Sequence, residues 1–342
     1  MSALVTRPVR ALPRPDDALF REALLVPNDR EQHDRLTAGL AAFDGVEIRP
    51  VSAGAAPGSA GLRIAAWNAE RLKYHGPSCG FVQEVAPDIL LLTEADVGMA
   101  RAGNRHTVDD LATGLGMGYA YGVEFLELGL GDERERAWHA GEANAVGFHG
   151  NALLSRHPFS DAAIIRLDDG AVWWLDARDG ERRLGWRMAV AARIATAAGP
   201  LLAVAVHLES KTDAADRAAQ VRRLLDAVEA MAGGAPVVLG GDFNTNALPP
   251  GASVAEPQRY EPLFADLAAA GFDWSACNTP DVTQRTRPDG TPQPPFRRID
   301  WLFTRGLAAA APRTIPAVDG SDRALSDHEL IAVDVILGAV RE

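Results

Sequence analysis

Cysteine and lysine are almost absent from this 342-residue sequence, with two of each. Cys79 and Cys277 exclude a disulfide scaffold and a multi-cysteine zinc module, and they fit a reducing cytoplasm. With Lys73 and Lys211 the only lysines, arginine carries nearly all the positive charge. Arginine suits two-pronged contacts to phosphate or carboxylate, although a compositional bias produces the same excess. A basic balance is missing too: the formal net charge is −12, which opposes broad non-specific attraction to DNA, RNA or anionic membrane. There is no apolar run of membrane length, because the most apolar stretch, 188–206, is broken by Arg193 and by Gly199-Pro200. The start, MSALVTRPVRALPRPDD, lacks the apolar core of a signal peptide. No integral membrane association is expected, and the expected location is cytoplasmic. Internal repeats and low-complexity tracts are lacking as well. What remains, 47% hydrophobic and 23% charged residues, is a globular composition long enough for one large domain or two ordinary ones.

Residues 1–60 read as an extension with short helices at Ala18–Leu25 and Arg30–Phe43, since Leu36, Leu40 and Phe43 recur at helical spacing. The segment SAGAAPGSAG, Ser52 to Gly61, reads as a link, and residues 61–342 as the main domain. From there, short apolar runs appear at Leu62–Trp67, Ile89–Thr93, Ala152–Leu154, Met188–Ile194, Leu201–His207, Pro236–Leu239, Ile299–Phe303 and Ile331–Ile336. Gly, Pro, Asn or Asp bound most of them, as buried strands require. Helical patterns fall between some runs, at Phe81–Val85, Val108–Leu115 and Arg217–Met231. In the last of these, Val221, Leu224, Leu225 and Val228 form one apolar face. Runs that are apolar on both faces predict two packed sheets covered outside by helices.

The polar residues collect where the strands end. RIAAWN ends at Asn68, DILLLTE at Glu94 and LLAVAVH at His207; VVLGGDFN carries Asp242 and Asn244. RRIDWLF holds Asp300 inside a strand, and LSDHELIAV puts Asp327 and His328 just before one. Strand ends face loops, where ligands enter. If these ends converge, they form one pocket rich in carboxylates and amides. Oxygen ligands without cysteine suit Mg²⁺ or Mn²⁺, and a hard cation beside His and Asp is equipped to hydrolyse a phosphoester. Each residue alone has a plainer account: Asn68 as a turn former, Asp300 as the partner of Arg297 or Arg298, His328 as a strand cap. Their conjunction carries the argument.

In order, WN, TE, GNALLSR, VHLES, GDFN, RRIDWLF and SDH resemble the motifs of the endonuclease/exonuclease/phosphatase superfamily, from Leu62 to about Ile336. The resemblance implies an α/β fold built as a four-layer α/β/β/α sandwich of two mixed sheets flanked by helices. It implies Mg²⁺- or Mn²⁺-dependent hydrolysis of a phosphoester, a phosphodiester above all, by direct attack of water. Glu94 would be the principal metal ligand, with Asn68 and Asp327 completing the set. Asp242 would align or activate the attacking water, and Asn244 would hold it or a phosphate oxygen. His328 would contact the scissile phosphate, its tautomer fixed by Asp300. His207 would bind phosphate, and Asn151 would face the substrate. One ion or two is left open, the second falling on Asp242, Asn244 and His328.

Three ester classes share such a site: nucleic acid, as in a repair-type nuclease; a small organophosphate; and a phospholipid head group, as in the sphingomyelinases. The arginine-rich segment Gln284–Arg305, with Arg285, Arg287, Arg297, Arg298 and Arg305 against Asp289 and Asp300, could clamp a phosphate backbone or lie in solvent. Trp173, Trp174 and Trp186 interleave with Arg182, Arg183 and Arg187 as a stacking surface or, more plainly, as a β-hairpin over an aromatic core. His149 stands two residues before Asn151. A catalytically silent scaffold of the same fold would carry substitutions at Glu94, Asp242 or His328, and none is substituted. Gly76-Pro77-Ser78-Cys79-Gly80 matches a serine-hydrolase elbow, but polar residues 70–75 replace the strand that must precede one.

Overall fold

The computed structural model describes residues 4–52, 55–177, 180–251, 254–286 and 291–338. Two large mixed sheets stack face to face. The smaller has six strands in the order β1 (Leu4–Val5), β8 (Phe159–Arg166), β10 (Met188–Thr196), β11 (Gly199–His207), β12 (Val237–Asp242) and β15 (Asp300–Arg305). The larger runs β16 (Leu307–Ile315), β17 (Leu330–Leu337), β4 (Gly61–Arg71), β5 (Ile89–Val97), β7 (Phe148–Ser155), β6 (Gly118–Glu127), β3 (Val46–Arg49) and β2 (Pro8–Val9), with β9 (Arg183–Gly185) paired to β6. A separate hairpin joins β13 (Gln284–Thr286) to β14 (Pro292–Arg297).

Alternation of side chains sorts the core into layers. Along β4, Ile64 and Ala66 face the six-stranded sheet and, with Leu91, pack against its Val190, Ala203, Val238 and Leu302. Ala65, Trp67 and Ala69 point the other way, onto α3 (His75–Val85) and α4 (Thr107–Leu115). Beyond the smaller sheet, Val237 and Leu239 pack under α7 (Ala214–Ala232) and α8 (Leu263–Ala269). The result is the four-layer sandwich that the strand pattern predicts. Gly240 lets the sheets approach closely, since a Cβ there would lie 2.5 Å from Leu302 Cδ2 and 2.9 Å from Leu91 Cδ1. Gly241, at φ +139°, would drive a Cβ to 2.1 Å from Val206 O. Both glycines of GGDFN are therefore dictated by packing just before Asp242.

The leading segment is built into both sheets: β1 pairs with β8 in one, while β2 and β3 build outward from β6 in the other. Between them, α1 (Asp17–Leu25) and α2 (Arg30–Ala38) bury Ala23 and Leu36, and the turn after α2 buries Leu40 and Phe43, all in the outer core of the larger sheet. The Trp173-Trp174 pair lies on a single helical turn, α6 (Val172–Leu175), and both rings are buried; the sequence had suggested a hairpin there. Ser78 sits inside α3, fully buried, so it cannot serve as an exposed nucleophile. No helix among the described residues is long and apolar enough to cross a membrane.

Candidate active site

Strand pairing brings the polar ends together. In the smaller sheet His207 is opposite Asp242, and Asp242 is opposite Asp300. In the larger sheet β4 runs parallel to β5, with Asn68 opposite Thr93, and antiparallel to β17, which follows His328. The β4–β5 register shifts after Asn68, and Glu94 takes φ +56°. That left-handed kink interrupts the strand at Glu94; its backbone N–H donates to Asn151 Oδ1 at 3.2 Å.

One side of the pocket is a carboxylate–histidine chain. His328 Nδ1 lies 2.8 Å from Asp300 Oδ2, and its Nε2 lies 3.8 Å from Asp242 Oδ2 and 4.0 Å from Asp327 Oδ2. Ligand atoms of Asp242, Asp300 and His328 all lie within 4.8 Å of one another. Burial opposes charge on His328, but Asp300, Asp327 and Asp242 outweigh it and hold the imidazolium well above the ordinary range. Burial also raises the Asp242 carboxyl, with Asp300 adding to it against His328 and His207. The Asp327 carboxyl rises for the same first reason, with Glu94 contributing. Asn244, at φ +47°, donates its backbone N–H to Asp242 Oδ1 at 2.8 Å and its side-chain amide to Leu208 O.

Asn68 bridges the halves of the pocket. Its Nδ2 donates to Glu94 Oε1 at 3.0 Å and to Asp242 Oδ2 at 3.1 Å. Glu94 is held well below the usual carboxylate range: burial opposes its ionisation, but Arg71, then His149, His207 and His328, overcome that penalty. His207 Nε2 is 3.7 Å from Asp242 and 4.0 Å from Glu94, while its Nδ1 meets Glu124 Oε2 at 3.1 Å. The Asn151 amide donates to the same Glu124 carboxylate at 2.8 Å. All of Asn68, Glu94, Asn151, His207, Asp242, Asn244, Asp300, Asp327 and His328 thus join one neighbourhood.

Several members of the site escaped the motif reading. Glu124 is buried in β6, every residue of which is buried, and it pairs with Arg187 as well as His207. An acid set between Val123 and Phe125 in a mainly apolar run was the available signal. Glu70 and Arg71 come two and three residues after Asn68; Glu70 receives the Asp327 backbone N–H at 3.1 Å and pairs with Lys73. Burial, with Asp327 beside it, pushes the Glu70 carboxyl up to about 8. His149 pairs with Asp96 at 2.8 Å. Arg187 and Lys211 both engage Glu209, and Lys211 Nζ stands 3.7 Å over the Trp173 ring.

The arginine-rich segment forms the β13–β14 hairpin, and its Gln284 bridges to His328. Arg285 pairs with Glu329 and Arg297 with Asn246. Arg298 bonds Asp281 O, and Arg305 bonds Glu229, so Asp300 draws its partner from His328. Arg287 and Asp289 lie outside the described residues.

A double-sheet α/β sandwich whose strand ends gather acids, amides and histidines defines a class of phosphoester-cleaving proteins. The chain belongs to the endonuclease/exonuclease/phosphatase family, whose model matches residues 65–328; members of the superfamily are hydrolases acting on phosphoester bonds. Solved structures share the fold. An endonuclease/exonuclease/phosphatase from Beutenbergia cavernae matches with TM-score 0.58 and 22% identity, covering 81% of this chain and 72% of that one. A conserved protein of unknown function from Enterococcus faecalis matches with TM-score 0.54 and 16% identity, covering 80% and 99%. The human Nocturnin catalytic domain, solved with bound sulfate, matches with TM-score 0.52 and 19% identity, covering 84% and 96%. No curated protein matches the sequence significantly.

Proposed function

We propose that this protein is a Mg²⁺- or Mn²⁺-dependent phosphodiesterase that cleaves its substrate by direct attack of water. The observation that carries the reading is the grouping of Asp242, Asp300 and His328 within 4.8 Å, beside Glu94 and Asn68. The donor set fits a hard divalent ion. Glu94 and Asp327 offer oxygen, and Asn68, whose Oδ1 accepts the Glu70 backbone N–H at 3.1 Å while its Nδ2 faces Glu94, would join them by turning its amide; burial above all raises the Asp242, Asp327 and Glu70 carboxyls. Glu94, Asn68 and Asp327 would hold the ion. When bound, it supplies charge neutralisation at the phosphate oxygens and the leaving oxygen.

The remaining chemistry belongs to side chains. Asp242, steadied by the Asn244 backbone N–H and the Asn68 amide, orients water and accepts its proton. Asp300 fixes the His328 ring by accepting from Nδ1, so Nε2 donates to a non-bridging phosphate oxygen. His207, oriented by Glu124, and Asn151 and Asn244 shape the substrate side. The β13–β14 hairpin, whose Gln284 bridges to His328 and which exposes Phe296 and Arg297, is our reason to favour an extended anionic substrate, a nucleic-acid strand, over a compact head group. The acidic net charge disfavours a generic duplex nuclease. The cytoplasm is the proposed setting.

A panel of bis-p-nitrophenyl phosphate, p-nitrophenyl phosphate, plasmid DNA, abasic oligonucleotide, inositol phosphates and sphingomyelin, each with Mg²⁺ or Mn²⁺, tests the reading. Diester turnover should vanish in EDTA and return with either ion. Activity that persists in chelator overturns the metal assignment.

A further inference from the structure

We infer that Arg71 is a resident counter-cation of the metal site, which occupies Glu94 until a divalent ion displaces it toward Glu135. This inference rests on the metal reading of Glu94 given above.

The geometry begins with the backbone. Glu70, Arg71 and Leu72 all adopt left-handed conformations, with φ of +42°, +71° and +55°. The Leu72 N–H closes the turn onto Ala69 O at 2.9 Å. Three consecutive residues of this kind, none of them glycine, are costly and persist only where the surroundings hold them. The turn coils the end of β4 back over Asn68 and sends Arg71 across the pocket. Arg71 Nη1 reaches Glu94 Oε2 at 2.5 Å. A guanidinium in that position holds an oxygen that a hard cation needs, and two cations cannot share it at contact distance without repulsion.

The arginine has a second carboxylate to go to. Its Nε lies 3.1 Å from Glu135 Oε1 but is buried with no hydrogen-bond partner, so the contact is an ion pair without aligned geometry. Glu135 sits on α5 (Glu133–Trp138) and is fixed through its other oxygen. There Oε2 accepts the Asp132 backbone N–H at 2.9 Å, in a capping box, and Arg101 Nη1 at 3.0 Å. Oε1 therefore faces Arg71 with capacity to spare. A turn of the guanidinium away from Glu94 satisfies Nε on Glu135 and frees the ligand oxygen. Arg101, anchored on Asp96, Glu127 and Glu135, keeps the receiving acid in place. In the metal-free protein Arg71 is what makes a half-buried Glu94 tolerable, and on loading it becomes the ion's competitor.

The two acidic contacts predict effects of opposite sign. Mn²⁺ titrated calorimetrically into EDTA-stripped, dialysed full-length protein should bind Arg71→Ala about tenfold or more tighter than wild type, the scale of one close charge pair. Glu135→Gln keeps a capping-box residue yet removes the receiver, so it should bind Mn²⁺ severalfold more weakly. In the double variant the Glu135 effect should disappear, because it acts through Arg71. Arg71→Gln serves if the alanine variant does not fold without metal. Equal or weaker binding in a folded Arg71 variant overturns the inference, as does a Glu135 effect that survives in the double variant. A wild-type protein that binds neither Mn²⁺ nor Mg²⁺ overturns instead the metal reading beneath it.

Discussion

The two walls of the pocket are built on different logics. On the His328 side, Asp242 and Asp300 are neighbours across adjacent strands, and each polar group caps or interrupts an apolar run. On the Glu94 side, ion pairs tie Arg71, Asp96 and Glu127, at or near the ends of β4, β5 and β6, to Arg101 in a turn and Glu135 on the short helix α5. The first wall is rigid because sheet hydrogen bonds fix its register. The second holds buried charges by mutual neutralisation, an arrangement that breaks badly when one partner is lost. Fixed geometry suits the groups that act on the reacting phosphate, and exchangeable ion pairs suit a place where a cation must come and go.

The sharpest way to break this contrast is to strike the sheet-built wall. Asp242→Asn and His328→Ala should each lower kcat at least ~10²-fold with the fold intact, the scale for one acid–base or electrostatic group. Near-wild-type turnover in either removes its assignment. A smaller loss, on the order of 10-fold to 10²-fold, is expected for Asp300→Asn, which acts through the histidine. The pH profile distinguishes this from simple damage. The carboxylate of Asp300 helps hold His328 protonated above its ordinary range, so the alkaline limb of kcat should move to lower pH in the variant. An unmoved limb would show that Asp300 does not govern His328. The smallest effect concerns Glu70. Its folded-state value of about 8 exceeds the ordinary 4.5, so the associated stability is complete below the ordinary value and is lost as pH rises through about 8. The melting temperature of EDTA-stripped Glu70→Gln, relative to wild type, should therefore rise from pH 5.5 to pH 9, by about 2 °C. A constant difference would argue that Glu70 is ionised throughout.

The same contrast explains what could be read before folding. Asp242, Asp300 and His328 are legible because each stands against an apolar run, where an unpartnered polar group is expensive. Asn68 and Glu94 follow apolar runs in the same way, although β4 and β5 continue past them to Arg71 and Val97. Arg71 and Glu135 are ordinary surface residues by composition, and their pairing is created only when α5 folds beside the end of β4. Glu124 hides differently, since nothing in its strand says that Arg187 and His207 will meet it. The sandwich was legible from the length and bounds of the apolar runs. The role of the first sixty residues was not, because strands of two residues are too short to show alternation and the stretch around Ser52–Gly61 imitates a hinge.

That leading segment has its own consequence. It closes one edge of each sheet, through β1 on β8 and through β2 and β3 beyond β6, so a single stretch works as a clasp across both halves of the sandwich. A chain shortened to begin at Gly61 would bare two pairing-competent borders at once, and self-association is its expected failing. During synthesis the clasp leaves the ribosome before residues 118–166, to which it must fasten, so it stays unpaired until they follow.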